Sequence, residues 1–290
     1  MQKEGIDYAA KHAATVQWNS VKIIIAVAVA NDWDIVLFDI ATYFLYGDLK
    51  DVVFMEQPEG WDSIEKPRGE YVWRLNRSLY GLPQAHHCAQ KVLKAALTKD
   101  GSFRPSAADE CVYVSAEGSS DYVVCGAHVD DVISAGGPGG LEALEKSLSA
   151  KFEITKRVNP DVIVGVQVER NRGSRWLKLH QGAFVAQLLE DQGMSDCFAC
   201  TTPITPGLVK TLMELPADQA DPGVVKQYQV LVGCLIWLHK CRPDMFFCDQ
   251  SCLQVSEVCH TGSLRYHSGS TSSLTQGDYG LWNSVRAGWW

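Results

Sequence analysis

Three aspartates give the sequence its clearest chemical content. Asp39 stands at the end of an apolar, β-branched run at 33–40 (WDIVLFDI), and Asp130-Asp131 is the one Asp-Asp pair in the chain, set between the apolar runs 122–129 and 132–135. Singly, each suits a turn that ends a strand. Together, two strand ends of one sheet would bring three carboxylates to one edge, where their repulsion is severe unless cations sit among them. Magnesium takes carboxylate oxygens together with substrate phosphates, and two such ions about 4 Å apart activate an attacking hydroxyl while neutralising a departing pyrophosphate. Nucleotidyl transfer is the chemistry expected of such an edge.

Other groupings carry less. Cys197 and Cys200 have the spacing of half a zinc site, but the possible second half, Cys248, Cys252, Cys259 and His260, is irregularly spaced. The ten cysteines are scattered, several inside apolar runs, and are expected as free buried thiols. His86 and His87 are adjacent on an expected helix and point to different sides of it, which makes a joint metal site difficult. The glycine run 136–140 follows a strand and precedes a helix as a phosphate loop does, but the Lys-Ser/Thr ending of that loop is missing.

The elements that must position the aspartates follow from patterning. A helix over 20–30, opened by a Ser20 cap, leads into a strand at 33–40. A turn at 47–48, short strands at 52–55 and 71–75, and an amphipathic helix at 85–98 with Val92, Leu93, Ala96 and Leu97 inward come next. Strands at 111–115, 122–129 and 132–135 then surround the Asp130-Asp131 turn. Residues 136–140 read as irregular, 141–152 as a helix, 162–168 and 176–179 as a hairpin, and 183–192 as a helix. A linker is expected at 203–222, a last helix at 224–239, and a Ser/Gly-rich tail from 262.

Composition sets the outer bounds. The chain has 290 residues, 46% of them apolar and 21% charged, enough for a buried core and unlike a disordered or disulfide-stapled composition. Its longest apolar run, 23–30, is eight residues against roughly 20 needed to span a bilayer, so no membrane association is expected. The polar N-terminus lacks a signal-peptide pattern, which predicts a cytoplasmic or nuclear location. The net charge of -8 argues against a polyanion partner, yet 62–104 holds eight basic against four acidic residues and 151–178 seven against three.

The segments FDIATYFLYGDL (38–49), MEQPEGW (55–61), RLNRSLYGLPQA (74–85), FRPSAADECVYV (103–114), HVDD (128–131), LEKSLSAKFEITK (144–156), GVQVER (165–170), LKLHQ (177–181), TTP (201–203) and YQVLVGCLIWLHKCRPD (228–244) share a further property. In order and spacing they resemble the reverse transcriptase of copia-type LTR retrotransposons, over residues 2–266. That resemblance implies an α+β right-hand polymerase, with fingers, thumb and a small antiparallel palm sheet backed by helices. It implies partial fingers and palm over 1–170, a thumb-like segment at 171–200, a linker and helical segment at 201–261, and a divergent tail at 262–290 without fixed structure.

By the same resemblance Asp39, Asp130 and Asp131 form the catalytic triad and hold two Mg2+ ions, with Mn2+ as a substitute, and the Ile40 carbonyl assists. Phe44 matches the aromatic that blocks a ribose 2′-OH. Gln84, within Leu82-Pro83-Gln84, matches a loop near template and incoming nucleotide, and Lys22 a basic fingers position. Residues 165–170 match a segment steadying the primer end. Partners implied are an RNA or DNA template with its primer and dNTPs. Three residues depart from the family pattern: His128 stands where Tyr is usual, Gln17 where a basic residue is usual, and Tyr43 where a small residue is usual, so Tyr43 is expected to crowd the approach of the triphosphate. The family's preceding basic fingers strand, its RNase H region and its integrase are expected outside this chain, so that it binds primer-template but extends it poorly. Two other readings stand beside the polymerase: a non-catalytic or domesticated nucleic-acid-binding module, and a zinc-dependent module around Cys197 and Cys200.

Overall fold

The computed structural model of the protein describes residues 13–61, 69–99, 102–115, 121–197, 222–245 and 284–286. The chain divides into two compact units, 1–160 and 161–290. In the first, helix α1 (Trp18–Ala30) precedes strand β1 (Asp34–Ile40), a 3-10 turn at Tyr43–Tyr46, β2 (Asp48–Glu56), β3 (Val72–Arg77) and helix α2 (Ala85–Thr98). After these come β4 (Phe103–Pro105), β5 (Val112–Ser115), β6 (Val123–His128), β7 (Asp131–Gly136), helix α3 (Pro138–Ser149) and β8 (Ile154–Val158). Six of the strands form one sheet in the order β4-β5-β6-β7-β1-β8, and β2 pairs with β3 in a separate ribbon. Every pairing in both sheets is antiparallel. The α+β class with antiparallel sheets is therefore as expected.

Both faces of the six-stranded sheet are covered. Val21, Ile24, Ile25, Ala28 and Val29 recur at helical spacing and bury one stripe of α1. The helix lies so close to β6 that a Cβ on Gly126 would stand 2.9 Å from Val16 Cγ2 and 3.0 Å from Ile24 Cδ1. On the opposite face, Val36, Phe38, Cys125 and Val132 join Leu93 and Leu97 of α2 and Leu144 and Leu148 of α3 in one apolar cluster. Helix α2 has the expected limits, and its buried side is Ala85, Ala89, Leu93 and Leu97, with Val92 and Ala96 at the margin.

Several boundaries differ from the sequence reading, each for a local reason. Ser20 does not cap α1. The helix begins at Trp18, and it is Asp109, from the segment before β5, that accepts both the Gln17 N–H at 2.9 Å and the Ser20 hydroxyl at 2.7 Å. Helix α3 starts at Pro138 inside the glycine run, because Pro at the first helical position forfeits no hydrogen bond and Gly140 is buried against Val123. A strand at 154–158 was not expected. Its exposed, basic ITKRV stretch lacks apolar alternation, yet it is the edge strand that pairs with β1.

In the second unit the expected strand at 162–168 is two strands, β9 (Val162–Ile163) and β10 (Val166–Asn171), divided by positive φ at Val164 and Gly165. β10 pairs with β11 (Trp176–His180), and helix α4 (Gly182–Asp191) follows. Helix α5 (Pro222–Leu238) leads to a 3-10 turn at Pro243–Met245, and β12 (Ser284–Arg286) pairs with β11. Val185 and Leu189 of α4 pack with Leu235, Leu238 and Met245. The expected linker at 203–222 apart from Pro222, which opens α5, together with most of the tail, Cys200, Cys248, Cys252, Cys259 and His260, lies outside the described residues. Among the described residues no helix is long and apolar enough to cross a membrane.

Candidate active site

The expected convergence of the three aspartates occurs. Asp39 is the penultimate residue of β1 and Asp131 the first of β7, and the two are direct cross-strand partners. Partners in register present their side chains on the same face. The row continues to His128 of β6 on one side and Thr155 of β8 on the other. This face is the one α1 covers further along. Helix α1 begins at the same end of the sheet, where the Val16 N–H donates to Ala127 O at 2.9 Å.

Asp130 lies in the two-residue turn between β6 and β7. Val129, the first residue of that turn, has φ of 56°, a conformation that costs a β-branched residue free energy. The turn is tied to β1 by the Ile40 N–H, which donates to Asp130 O at 2.9 Å. Asp39, Ile40, Asp130 and Asp131 are thus held by one backbone network.

The charges repel. Burial pushes the Asp131 carboxyl up from 3.8 to about 6, and the Asp130 and Asp39 carboxylates push in the same direction, against a smaller downward pull from Arg157. The Arg157 guanidinium is 3.9 Å from Asp131 Oδ1. That oxygen is buried and has no hydrogen-bond partner. Among the described residues no group of three His, Cys, Asp or Glu side chains is arranged to hold an ion as it stands, and the aspartates are included in that statement. The donors nevertheless fit a hard divalent cation in type and placement: carboxylate oxygens from adjacent backbone positions, one of them orphaned, with like charges that a cation would relieve.

The other expected site residues divide. Phe44 lies in the 3-10 turn just past β1, half-buried, with its ring 4.9 Å from that of Tyr80 and 6.2 Å from that of His86. Its carbonyl accepts from the Ser78 hydroxyl and from the Gly47 N–H. Burial pushes the His86 imidazole down, and Asp130 partly opposes this, so Phe44, His86 and Asp130 share a neighbourhood. Tyr43 is only 1% exposed and belongs to the apolar cluster beneath the sheet, where burial pushes its phenol well up. Its ring stands 5.6 Å from that of Phe44 and 6.4 Å from that of His86, and Asp130 adds to the upward push on its phenol, so Tyr43 shares the neighbourhood of these residues. Gln84 is buried just ahead of α2, with neither side-chain amide atom hydrogen-bonded. Lys22 is half-buried on α1, between buried Val21 and exposed Ile23.

Two features escaped the sequence reading. Arg157 and Thr155 reach the acidic row only through β8, a strand whose residues give no periodic signal. The β2–β3 ribbon exposes Val52, Phe54, Val72 and Trp73, while Trp61 beside it packs edge-on against Trp73 with ring centroids 5.3 Å apart. Apolar residues at successive positions of a two-stranded ribbon were the available signal.

A carboxylate edge on an antiparallel sheet, made by two adjacent strands and a tight turn, is suited to divalent-metal phosphoryl chemistry. The family described as Reverse transcriptase (RNA-dependent DNA polymerase) matches residues 1–206, and the chain belongs to it. It is 31% identical over 249 residues to the retrovirus-related Pol polyprotein from transposon TNT 1-94 of Nicotiana tabacum, an alignment covering 84% of this chain and 18% of that protein. It is 32% identical over 247 residues to the corresponding polyprotein from transposon RE1 of Arabidopsis thaliana, covering 85% and 16%. The chain thus spans under a fifth of the length of these relatives. The resemblance to copia-type retrotransposons is borne out.

Proposed function

We propose that the protein is an RNA-directed DNA polymerase, adding dNTPs to a primer 3′-OH on an RNA or DNA template, and that its six-stranded sheet with α2 and α3 is the palm of a right-hand fold. The observation that carries this reading is the cross-strand pairing of Asp39 with Asp131 beside the Asp130 turn. Asp39 and Asp130 would hold magnesium or manganese, with Asp131 supporting the cluster and the Ile40 carbonyl close by. When bound, such ions lower the pKa of the attacking hydroxyl and neutralise the departing pyrophosphate. The chain's own part is to hold the carboxylates rigidly at one sheet edge and to place Phe44 where a ribose 2′-OH would strike it. Gln84, buried with an unsatisfied amide, and Lys22, on the helix that starts at the aspartate end, are the proposed contacts to the nucleotide. Tyr43, beside Phe44 and His86, is the remaining proposed residue of the nucleotide site.

We assign the exposed β2–β3 ribbon to the fingers, where its aromatic side chains would give template bases a stacking surface. Residues 165–170 and 183–193 are the proposed primer-end and thumb segments. Primer extension on an RNA template with magnesium tests the proposal. The parent should extend, and Asp39→Asn and Asp130→Asn should each abolish extension and weaken magnesium binding. Undiminished extension by both variants would overturn it. A second reading, a non-catalytic nucleic-acid-binding module, is favoured because, among the described residues, the aspartates are brought together without forming a three-ligand set that could hold an ion as it stands. Primer-template binding by a parent that never extends would select it.

A further inference from the structure

Many basic residues of the two lysine- and arginine-rich stretches are already neutralised. Lys156 pairs with Glu145, Arg157 faces Asp131, Lys178 pairs with Glu169, and Arg77 pairs with Asp48. Lys50, Lys91, Lys99 and Lys151 are among the described lysines with no ion pair. They line a single cavity of about 730 Å³. The sheet face toward which this cavity lies is the one carrying Phe38 and Val132, opposite to that of Asp39 and Asp131.

Its construction follows from local geometry. Lys91, Ala95 and Lys99 recur four residues apart and so share one face of α2. Val92 and Ala96 form an apolar floor between them. Lys151 arrives from just beyond α3. Lys50 lies in the part of β2 where its register with β3 shifts, between Asp48 and Val53, and such irregularities redirect side chains. The one carboxylate in the lining, Asp48, is 2.8 Å from Arg77 Nη1. Four lysines from separate segments therefore line one concavity whose only lining carboxylate is taken up by Arg77, with Asp51 next to Lys50 acting on the same Cys88, in a chain whose net charge is -8.

We propose that this cavity is a binding site for a compact polyphosphate anion, separate from the acidic edge. Lysine ammonium groups serve as point charges for phosphate, each with three donors that rotate to meet it. The volume lies in the range of small-ligand pockets, about 300–1,000 Å³. No aromatic side chain lines the cavity, so it lacks the stacking platforms on which single-stranded nucleic acid is laid. The ligand chemistry could come from the triphosphate of a free nucleotide or from a bare or inositol-borne polyphosphate.

The test uses the whole chain and calorimetric titration with ATP, tripolyphosphate and inositol hexakisphosphate, all without divalent metal. Saturable binding is expected, with Lys91→Ser/Lys151→Ser weakening it by about tenfold or more, as for loss of hydrogen bonds to a charged group. The double variant Asp39→Asn/Asp130→Asn should bind as the parent does, which separates this site from a nucleotide at the acidic edge. Preference for ATP identifies a nucleotide ligand, and equal or tighter binding of the other two identifies polyphosphate as such; either supports the proposal. A second readout needs no variant. Cys88 is a half-buried free thiol in the lining, and each ligand should slow its alkylation, followed by peptide mass spectrometry. Absence of saturable binding in the millimolar range overturns the proposal. So does binding that survives the lysine changes, or Cys88 protection by RNA alone and by none of the three anions.

Discussion

Asp131→Asn tests whether the acidic edge is held against its own repulsion. The carboxyl rises from 3.8 to about 6, first by burial and then by Asp130 and Asp39. At 1.36 kcal/mol per pH unit such a rise is worth at most about 3 kcal/mol. The side chain is 24% exposed, and solvent screening brings the figure to about 1–2 kcal/mol. The sign follows from linkage. A folded-state value raised above the unfolded one gives stability that is complete below pH 3.8 and is lost as pH climbs through about 6. At pH 8 the wild type therefore carries the full cost of an ionised Asp131. The neutral amide should then be more stable by about 1–2 kcal/mol at pH 8, with the advantage shrinking toward pH 4. Urea unfolding of both proteins across that range measures it, in chelator so that no cation relieves the parent. Magnesium should then raise the parent's midpoint more than the variant's. An amide variant less stable than the parent at pH 8, or a difference that does not change with pH, would refute the reasoning.

Phe44→Ala should admit ribonucleotides that the parent rejects, read as the ratio of rNTP to dNTP incorporation in primer extension; an unchanged ratio would count against a gate there. Asp109→Ala should cost about 1–2 kcal/mol in chemical unfolding, since it removes the acceptor of the Gln17 N–H, the Ser20 hydroxyl and the Cys111 N–H. Burial pushes Asp109 up, but its hydrogen bonds from Gln17, Ser20 and Cys111 hold it below the ordinary value. That contribution is thus present at neutral pH and is lost on acidification, the reverse of Asp131. Gly126→Ala should cost about 1–3 kcal/mol by forcing α1 away from β6, with circular dichroism reporting a retained fold.

What the sequence made legible was decided by periodicity and by chemical type. β1, α2, β6 and β7 have strong patterns, so Asp39 and the 130–131 pair could be put at strand ends before any register was known. The pairing itself was not legible, because β1 is flanked by strands distant in sequence and β8 resembles a solvated loop. Tyr43 shows a different limit. Its position relative to Asp39 was read from a family pattern, whereas the direction of its ring depends on the 3-10 turn that follows Thr42 at φ 50°. Ser20 failed as a cap because its hydroxyl serves Asp109, a partner 89 residues away that no local rule supplies.

The position of β1 between β7 and β8 also sets a schedule for biosynthesis. β1 ends at Ile40, and its second neighbour, β8, begins at Ile154, so the ribosome must add 154 − 40 = 114 residues before both edges of β1 have partners. At roughly 5–20 residues per second, that interval is about 6–23 s. Until β7 is complete at Gly136 the Ile35-Val36-Leu37-Phe38 stretch, fully buried in the finished protein, is an apolar strand with both edges open, and one edge stays open until β8 is made, the form most prone to join another chain. Nascent chains held close together on one messenger would meet one another at this segment, so recovery of soluble protein should depend on translation speed and chaperone supply more than on the stability of the completed fold.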